Sequence, residues 1–337
     1  MRFDIARQPF VPAFLTLLAL TVVAMWGGGM PLGTGADLLS GSSAAPLAGV
    51  AVGIPRDLLL QFQQAHPIWT KWIGAPLLLS GGLNAGRLAA STNLYAVSSC
   101  LTIPLYGIAA CIAGFGSEPL TALAACLLLV LAIKNFCRSF GNGYRFDALF
   151  RASLYLGLLP LLRPALLPLV LLLPLAVRIF RRTLREAAVA LAGLLLPIAA
   201  YSYVNWAAGG ELLAPAIHIG TAFASGVPFA LFLRTPLHSL IPAGCIALFG
   251  LFAALHVLSD LYTIGMKPRF ILIFNAIALL LILLLLGGPD AARNDATLIA
   301  VPASLLIPFS FVRINRAIVW PLYLLLVALA AISSILQ

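Results

Sequence analysis

Read for hydrophobic and polar positions, the chain is a succession of long apolar runs separated by short basic or Gly/Pro-rich breaks. Runs of about 18 or more apolar residues predict helices that cross a bilayer. In order, spans are expected over residues 10–26, 68–89, 96–115, 119–133, 187–206, 240–261, 270–286, 296–312 and 318–336. Ser80-Gly81-Gly82 and Asn84 predict an interruption in the second of these, because glycine weakens a helix interior. Between the fourth and fifth lies a long apolar run, 152–177, with Arg163-Pro164 in its middle.

That run is flanked by two basic clusters: Lys134, Arg138, Arg145 and Arg151 before it, and Arg178, Arg181, Arg182 and Arg185 after it. Basic residues stay on the cytoplasmic side. A single span would put one cluster outside, so the pattern predicts a hairpin turning at Arg163-Pro164. Pro160, Pro164, Pro168 and Pro174 fit a broken segment, since each removes a donor from the helix ladder. Arms of about 12 to 14 residues are short for a hydrocarbon layer of about 30 Å. The whole predicts an all-α, polytopic transmembrane bundle of about eleven spans in one integral domain, 1–337, with its N-terminus cytoplasmic. Of the 20 lysines and arginines, only Arg56, Lys71, Arg163, Arg234 and Arg293 fall outside in this arrangement.

Two outer loops are long. The first, 27–67, opens with a Gly/Ser/Pro-rich stretch and ends in IPRDLLLQFQQ, where Leu58, Leu59 and Phe62 recur at helical spacing among Arg56, Asp57, Gln61 and Gln64. That segment suits a helix lying on the membrane surface. The second, 207–238, carries Glu211, His218, Arg234 and His238 around a weakly apolar middle.

Composition sharpens this picture. Hydrophobic residues make up 62% of the chain and charged residues 9%, against about 25% charged in a soluble domain. No polar stretch is long enough for a separate soluble domain. The net charge of +10 sits at span ends, which reads as topogenic and excludes nucleic acid as a partner. Cys100, Cys111, Cys126, Cys137 and Cys245 are scattered, with no CxxC pair, and read as small buried hydrophobes. Arg2 and Arg7 precede an apolar run without a convincing cleavage site, so the first span is expected to be retained.

Chemistry-bearing residues are few. Arg163 is the conspicuous charge within an apolar run; its guanidinium suits a phosphate or carboxylate ligand, or it pairs with a carboxylate of the chain itself. Arg87 is a second candidate, or a topogenic residue at a cytoplasmic helix end. His256 and Asp260, four apart, form either a local polar pair or part of a metal site lacking a third ligand. Asp37 or Asp57 in the first outer loop would serve as a general base. Equally, Asp37 would cap a short helix, and Asp57 would pair with Arg56. No carboxylate lies in the middle of a span, which argues against a proton-coupled pump. No GxSxG, HExxH, P-loop or dinucleotide fingerprint is present. No cofactor is implied, and a divalent cation stays open.

The stretch YLGLLPLLRPALLPLVLLLPLAVRIFRRTLREAAVALAGLLLPIAAYSYVNW, with the two long outer loops, resembles the GT-C class of polytopic glycosyltransferases. The resemblance implies a GT-C-like layout and transfer of a sugar from a polyprenyl-phosphate carrier at the outer face. It places the catalytic acid–base residue at Asp37 or Asp57, and binding of the carrier phosphate and substrate at Arg163, Arg234 and His218. The chain also resembles uncharacterised inner-membrane proteins of Bacteroidota, which implies a bacterial inner membrane. A non-catalytic membrane subunit or scaffold of a larger complex, on a degenerate version of that fold, stands beside the enzyme reading. So does a lipid or small-solute transporter. Membrane lipids, the lipid-linked sugar and a protein partner in a membrane complex are the partners these readings imply.

Overall fold

The computed structural model describes residues 8–27, 50–51, 53, 55–95, 97, 99–138 and 146–336. Among these residues the chain is helical, with no strand. Helix α1 (Phe10–Val22) widens into a π-helical turn over Val23–Gly27. The helices α2 (Pro55–Ala65), α3 (Pro67–Ser91), α4 (Thr102–Ala113) and α5 (Pro119–Arg138) follow. Then come α6 (Phe146–Leu162), a 3₁₀ helix (Pro164–Leu171) that continues as α7 (Leu172–Ile179), and α8 (Leu184–Ala207). Two short helices, α9 (Ala214–Ser225) and α10 (Ala230–Arg234), lead to α11 (Leu237–Ser259) and α12 (Met266–Leu286). A single turn, α13 (Arg293–Ala296), runs through a 3₁₀ turn (Thr297–Ile299) into α14 (Ala300–Arg313), and α15 (Arg316–Leu336) completes the bundle. Among the described residues, seven segments are long and apolar enough to cross a membrane: Phe10–Gly27, Pro119–Arg138, Leu184–Ala207, Ser239–Ser259, Met266–Leu286, Arg293–Arg313 and Ala317–Ser334.

The core forms around α4 and α14. Every residue of α4 is buried, and so are all but two at the end of α14. Helix α4 is too short to cross about 30 Å of hydrocarbon by itself. Its non-helical flanks are enclosed by protein, where irregular backbone is tolerated. Tyr95 crosses this core, donating to the carbonyl of Leu305 at 2.9 Å and pairing with the Thr102 hydroxyl at 3.0 Å. Around it, α8, α11 and α15 turn rows of leucine, isoleucine and phenylalanine outward. An apolar exterior around an apolar core is what a lipid solvent permits.

The interruption expected near residue 80 is absent: α3 is one helix. Its glycines are used for packing. The Tyr106 ring lies where a side chain on Gly81 would be, and Ile103 does the same at Gly86. The expected span at 96–115 is helical only over Thr102–Ala113.

The chain reverses at Arg163. The residue before a proline avoids the helical region, and Arg163 is extended (φ −152°, ψ 121°), ending α6. The arms differ from the lengths expected. Helix α6 starts at Phe146, where Asp147 pairs with Arg151 one turn on. The returning arm is half 3₁₀. At about 2.0 Å per residue for the 3₁₀ part and 1.5 Å for the α part, the 16 residues of Pro164–Ile179 reach roughly 28 Å. That nearly matches the hydrocarbon thickness, so the 3₁₀ geometry makes a short arm long enough. Phe180, at its far end, packs on Phe274 (5.4 Å between rings), which also meets Phe136 near the end of α5.

Helices α6 and α8 pack backbone against backbone. Gly157 faces the Leu194 carbonyl and Gly193 faces Ser153 and the Phe150 carbonyl, so a side chain at either glycine would collide. Thr183 and Glu186 begin α8 with a reciprocal capping box.

Candidate functional site

The charged side chains of the described residues gather at two ends. One end collects α2, the turn before α5, the reversal at Arg163, the end of α8 and the segment between α12 and α14. Its centre is two ion pairs, one buried and one half-buried. Arg163 Nη1 donates to Asp295 Oδ1 at 2.9 Å, with both side chains less than a tenth exposed. The other carboxylate oxygen of Asp295 accepts the Ala292 backbone N–H at 2.8 Å, which fixes it at the start of α13. Beside this pair, Arg56 engages Glu118 through two nitrogens, at 2.6 and 3.3 Å. The two pairs sit within electrostatic reach of one another, so two guanidinium groups and two carboxylates form one neutral cluster.

Burial pushes the Glu118 carboxyl upward. The hydrogen bonds from Arg56 and the positive charges of Arg163 and Arg56 outweigh that and hold it below the usual carboxylate value. Burial likewise opposes charge on Arg56, and Glu118 more than restores it. Around the cluster, Gln63 donates to the Ser117 carbonyl (2.8 Å) and Thr297 to the Gly114 carbonyl (2.7 Å). The buried Asn205 holds two strands of chain together: its amide donates to the Glu211 carbonyl and its oxygen accepts the Ala51 N–H, both at 2.8 Å.

Helix α2 shows how this end faces its surroundings. Its polar residues Arg56 and Gln63 point into the protein, while Leu58 and Phe62 are 53% and 36% exposed. Gln61 and Gln64 are exposed beside them, so the outward face mixes apolar and polar side chains, which suits a helix at a membrane surface.

The residues named for catalysis and binding are partly assembled. Asp37 lies outside the described residues. Asp57 is half-buried in the first turn of α2, within electrostatic reach of Tyr201. His218, on α9, borders a small cavity with Tyr201, Pro164, Pro215 and Val50. Asp57, His218 and the Arg163 turn therefore converge around Tyr201 and Pro164. The cavity that His218 borders with Tyr201 and Pro164 is about 10 Å³, room for one water at most, and Asp57 and Arg163 do not line it. Arg163 is taken up by Asp295. Arg234 stands apart, pairing at the surface with Asp290 at 3.5 Å. Sequence reasoning missed Glu118 and Asp295 as partners and Asn205 as a clamp. The available signal was the presence of both acidic residues at the same predicted outer face as Arg163.

The opposite end carries most of the basic residues. Asp260 there binds Arg313 and approaches His256 at 3.6 Å, a polar latch between α11 and α14. Among the described residues, no three His, Cys, Asp or Glu side chains are placed to hold a metal. A cavity of about 380 Å³ at this end is lined by Arg87, Lys134, Arg138 and Lys267, with Ser91, Thr92, Asn93, Cys137 and Ile271.

Comparison of the chain with protein-family models, with curated proteins and with solved structures found no match.

Proposed function

We propose that this chain is an eleven-pass membrane protein serving as a non-catalytic subunit or scaffold of a larger membrane complex. The count adds α3, α4, α6 and the 3₁₀–α7 arm to the seven long apolar segments. The basic end is cytoplasmic on the positive-inside argument. The neutral cluster then lies at the outer face, with α2 on the outer membrane surface.

One observation carries the scaffold reading. The two arginines that would hold a lipid phosphate, and Arg56 beside them, are paired with the chain's own carboxylates: Arg163 with Asp295, Arg234 with Asp290 and Arg56 with Glu118, whereas Lys71 and Arg293 make no ion pair among the described residues. A phosphate at Arg163 would have to break a buried pair, which is costly. The paired charges instead tie α2, α5, α6 and α13 together.

A second reading, GT-C-like sugar transfer from a polyprenyl-phosphate carrier, is favoured by the convergence of Asp57, His218 and the Arg163 turn. The chain also re-enters this place at Val50 and Ala51, just after the segment bearing Asp37. Thermal unfolding of the full-length protein in nanodiscs, with and without polyprenyl-phosphate-linked mannose or glucose, separates the two. The scaffold reading predicts an unchanged midpoint and no sugar release. A raised midpoint or sugar release that Asp37→Asn or Asp57→Asn abolishes would overturn it in favour of transfer.

A further inference from the structure

We propose that the cavity at the basic end is a binding site for a phosphate-bearing anion, either a lipid headgroup or a free phosphate compound. This site is remote from the neutral cluster and does not depend on how that cluster is read. Its walls come from three helices: Arg87 from α3, Lys134 and Arg138 from α5, and Lys267 from α12. The volume, about 380 Å³, falls in the range of small-molecule pockets.

Charge balance is the central point. Elsewhere at this end, Arg151 has Asp147, Arg182 has Glu186 and Arg313 has Asp260, while Arg178, Arg181, Arg185 and Arg269, which make no ion pair among the described residues, do not line the cavity. Among the described residues, none of the four lining cations makes an ion pair. Lys134 is held by the Asn84 side-chain oxygen at 2.6 Å, which aims its ammonium group and leaves protons to donate. Topogenic charge explains why lysine and arginine lie on this side. It does not require four of them, from three helices, to face one cavity. Four like charges repel one another there, and an anion with several oxygen acceptors relieves that repulsion while taking guanidinium and ammonium donors together. Phosphate is the chemistry that matches this donor set. The Ser91 and Thr92 hydroxyls spend their protons on the Leu88 carbonyl, so they narrow the cavity without competing for the cations.

The test uses full-length protein in nanodiscs of neutral phosphatidylcholine. One arm adds a minor fraction of phosphatidylglycerol, and the other adds inorganic pyrophosphate. Binding is followed by native mass spectrometry and thermal unfolding. The proposal expects saturable, one-to-one binding in at least one arm, and the responding arm identifies the source. Arg87→Gln with Lys267→Gln should weaken that binding by about tenfold or more. Arg181→Gln with Arg185→Gln, exposed residues at the same membrane end, should bind as wild type does. In neutral nanodiscs without probe, the cavity variant should be at least as stable as wild type, because like-charge repulsion has been relieved. Lys267→Gln alone provides a milder variant of the same kind. Absence of saturable binding in both arms, or equal weakening by the Arg181 and Arg185 changes, would overturn the proposal.

Discussion

Arg163 and Asp295, 132 positions apart in the chain, form a buried ion pair at 2.9 Å. The arginine sits at the reversal between α6 and the 3₁₀ helix, and the aspartate begins the turn that leads into α14. Burial makes an unpaired charge here expensive, so each residue requires the other. The pair closes the hairpin onto the central helix of the bundle, and the nearby Arg56–Glu118 pair extends the same neutral cluster to α2.

Glu118 gives the cluster a signature in acid. Its folded-state pKa is below the usual 4.5, so the unfolded chain binds a proton more readily. Its contribution to stability is therefore fully present above about pH 4.5 and is lost as pH falls through the lower folded value. Glu118→Gln should be less stable than wild type at neutral pH, and the difference should shrink on acidification below the usual carboxylate value. Thermal unfolding midpoints across this pH range check it. A difference that stays constant with pH would mean that Glu118 acts by packing alone.

The glycine contacts between α6 and α8 predict a steric effect. Gly157→Ala places a methyl group on the Leu194 carbonyl, and Gly193→Ala places one on Phe150 and Ser153. Each should cost about 1–3 kcal/mol by forcing the helices apart. Gly220→Ala and Gly244→Ala, which would meet open space, are the controls and should be nearly neutral. Unfolding measurements on the four variants check this ordering.

The reversal at Arg163 predicts sidedness. Cysteines placed at Asp147 and Arg185, both exposed, should react with an impermeant maleimide from the same side of the membrane. A cysteine at Ala208, beyond the other end of α8, should react from the opposite side. Labelling in a background lacking the half-buried Cys100 and Cys245 measures this. Reaction of 147 and 185 from opposite sides would require a single span where the hairpin is.

Much of the helical architecture was legible in the amino-acid pattern because lipid exposure demands long apolar runs. The break at Arg163-Pro164 was legible for a local reason, the steric restriction before proline. Helix α3 was misread because Gly81 and Gly82 look like breakers in a one-dimensional pattern. In the bundle they admit Tyr106 and Leu17, and packing outweighs their weak helix propensity. The site was less legible. An isolated arginine in an apolar run has the same sequence appearance whether it awaits a phosphate or already has a partner. Asp295, set among Gly288, Pro289 and Asn294, reads as part of a polar turn until the fold brings it to Arg163. The four cations of the basic cavity read as topogenic for the same reason: their convergence exists only in three dimensions.

A double-mutant cycle on Arg163 and Asp295 tests the central claim, that this arginine belongs to the fold and not to a ligand. Arg163→Met and Asp295→Leu should each destabilise the protein by about 3–5 kcal/mol, since each leaves a buried charge without its partner. The double variant should recover most of that loss, because an apolar pair replaces a satisfied one. Unfolding in nanodiscs, with Asp147→Asn as an exposed control, provides the measurement. Recovery in the double variant is the predicted result. A double variant as unstable as the sum of the two single changes would contradict the account.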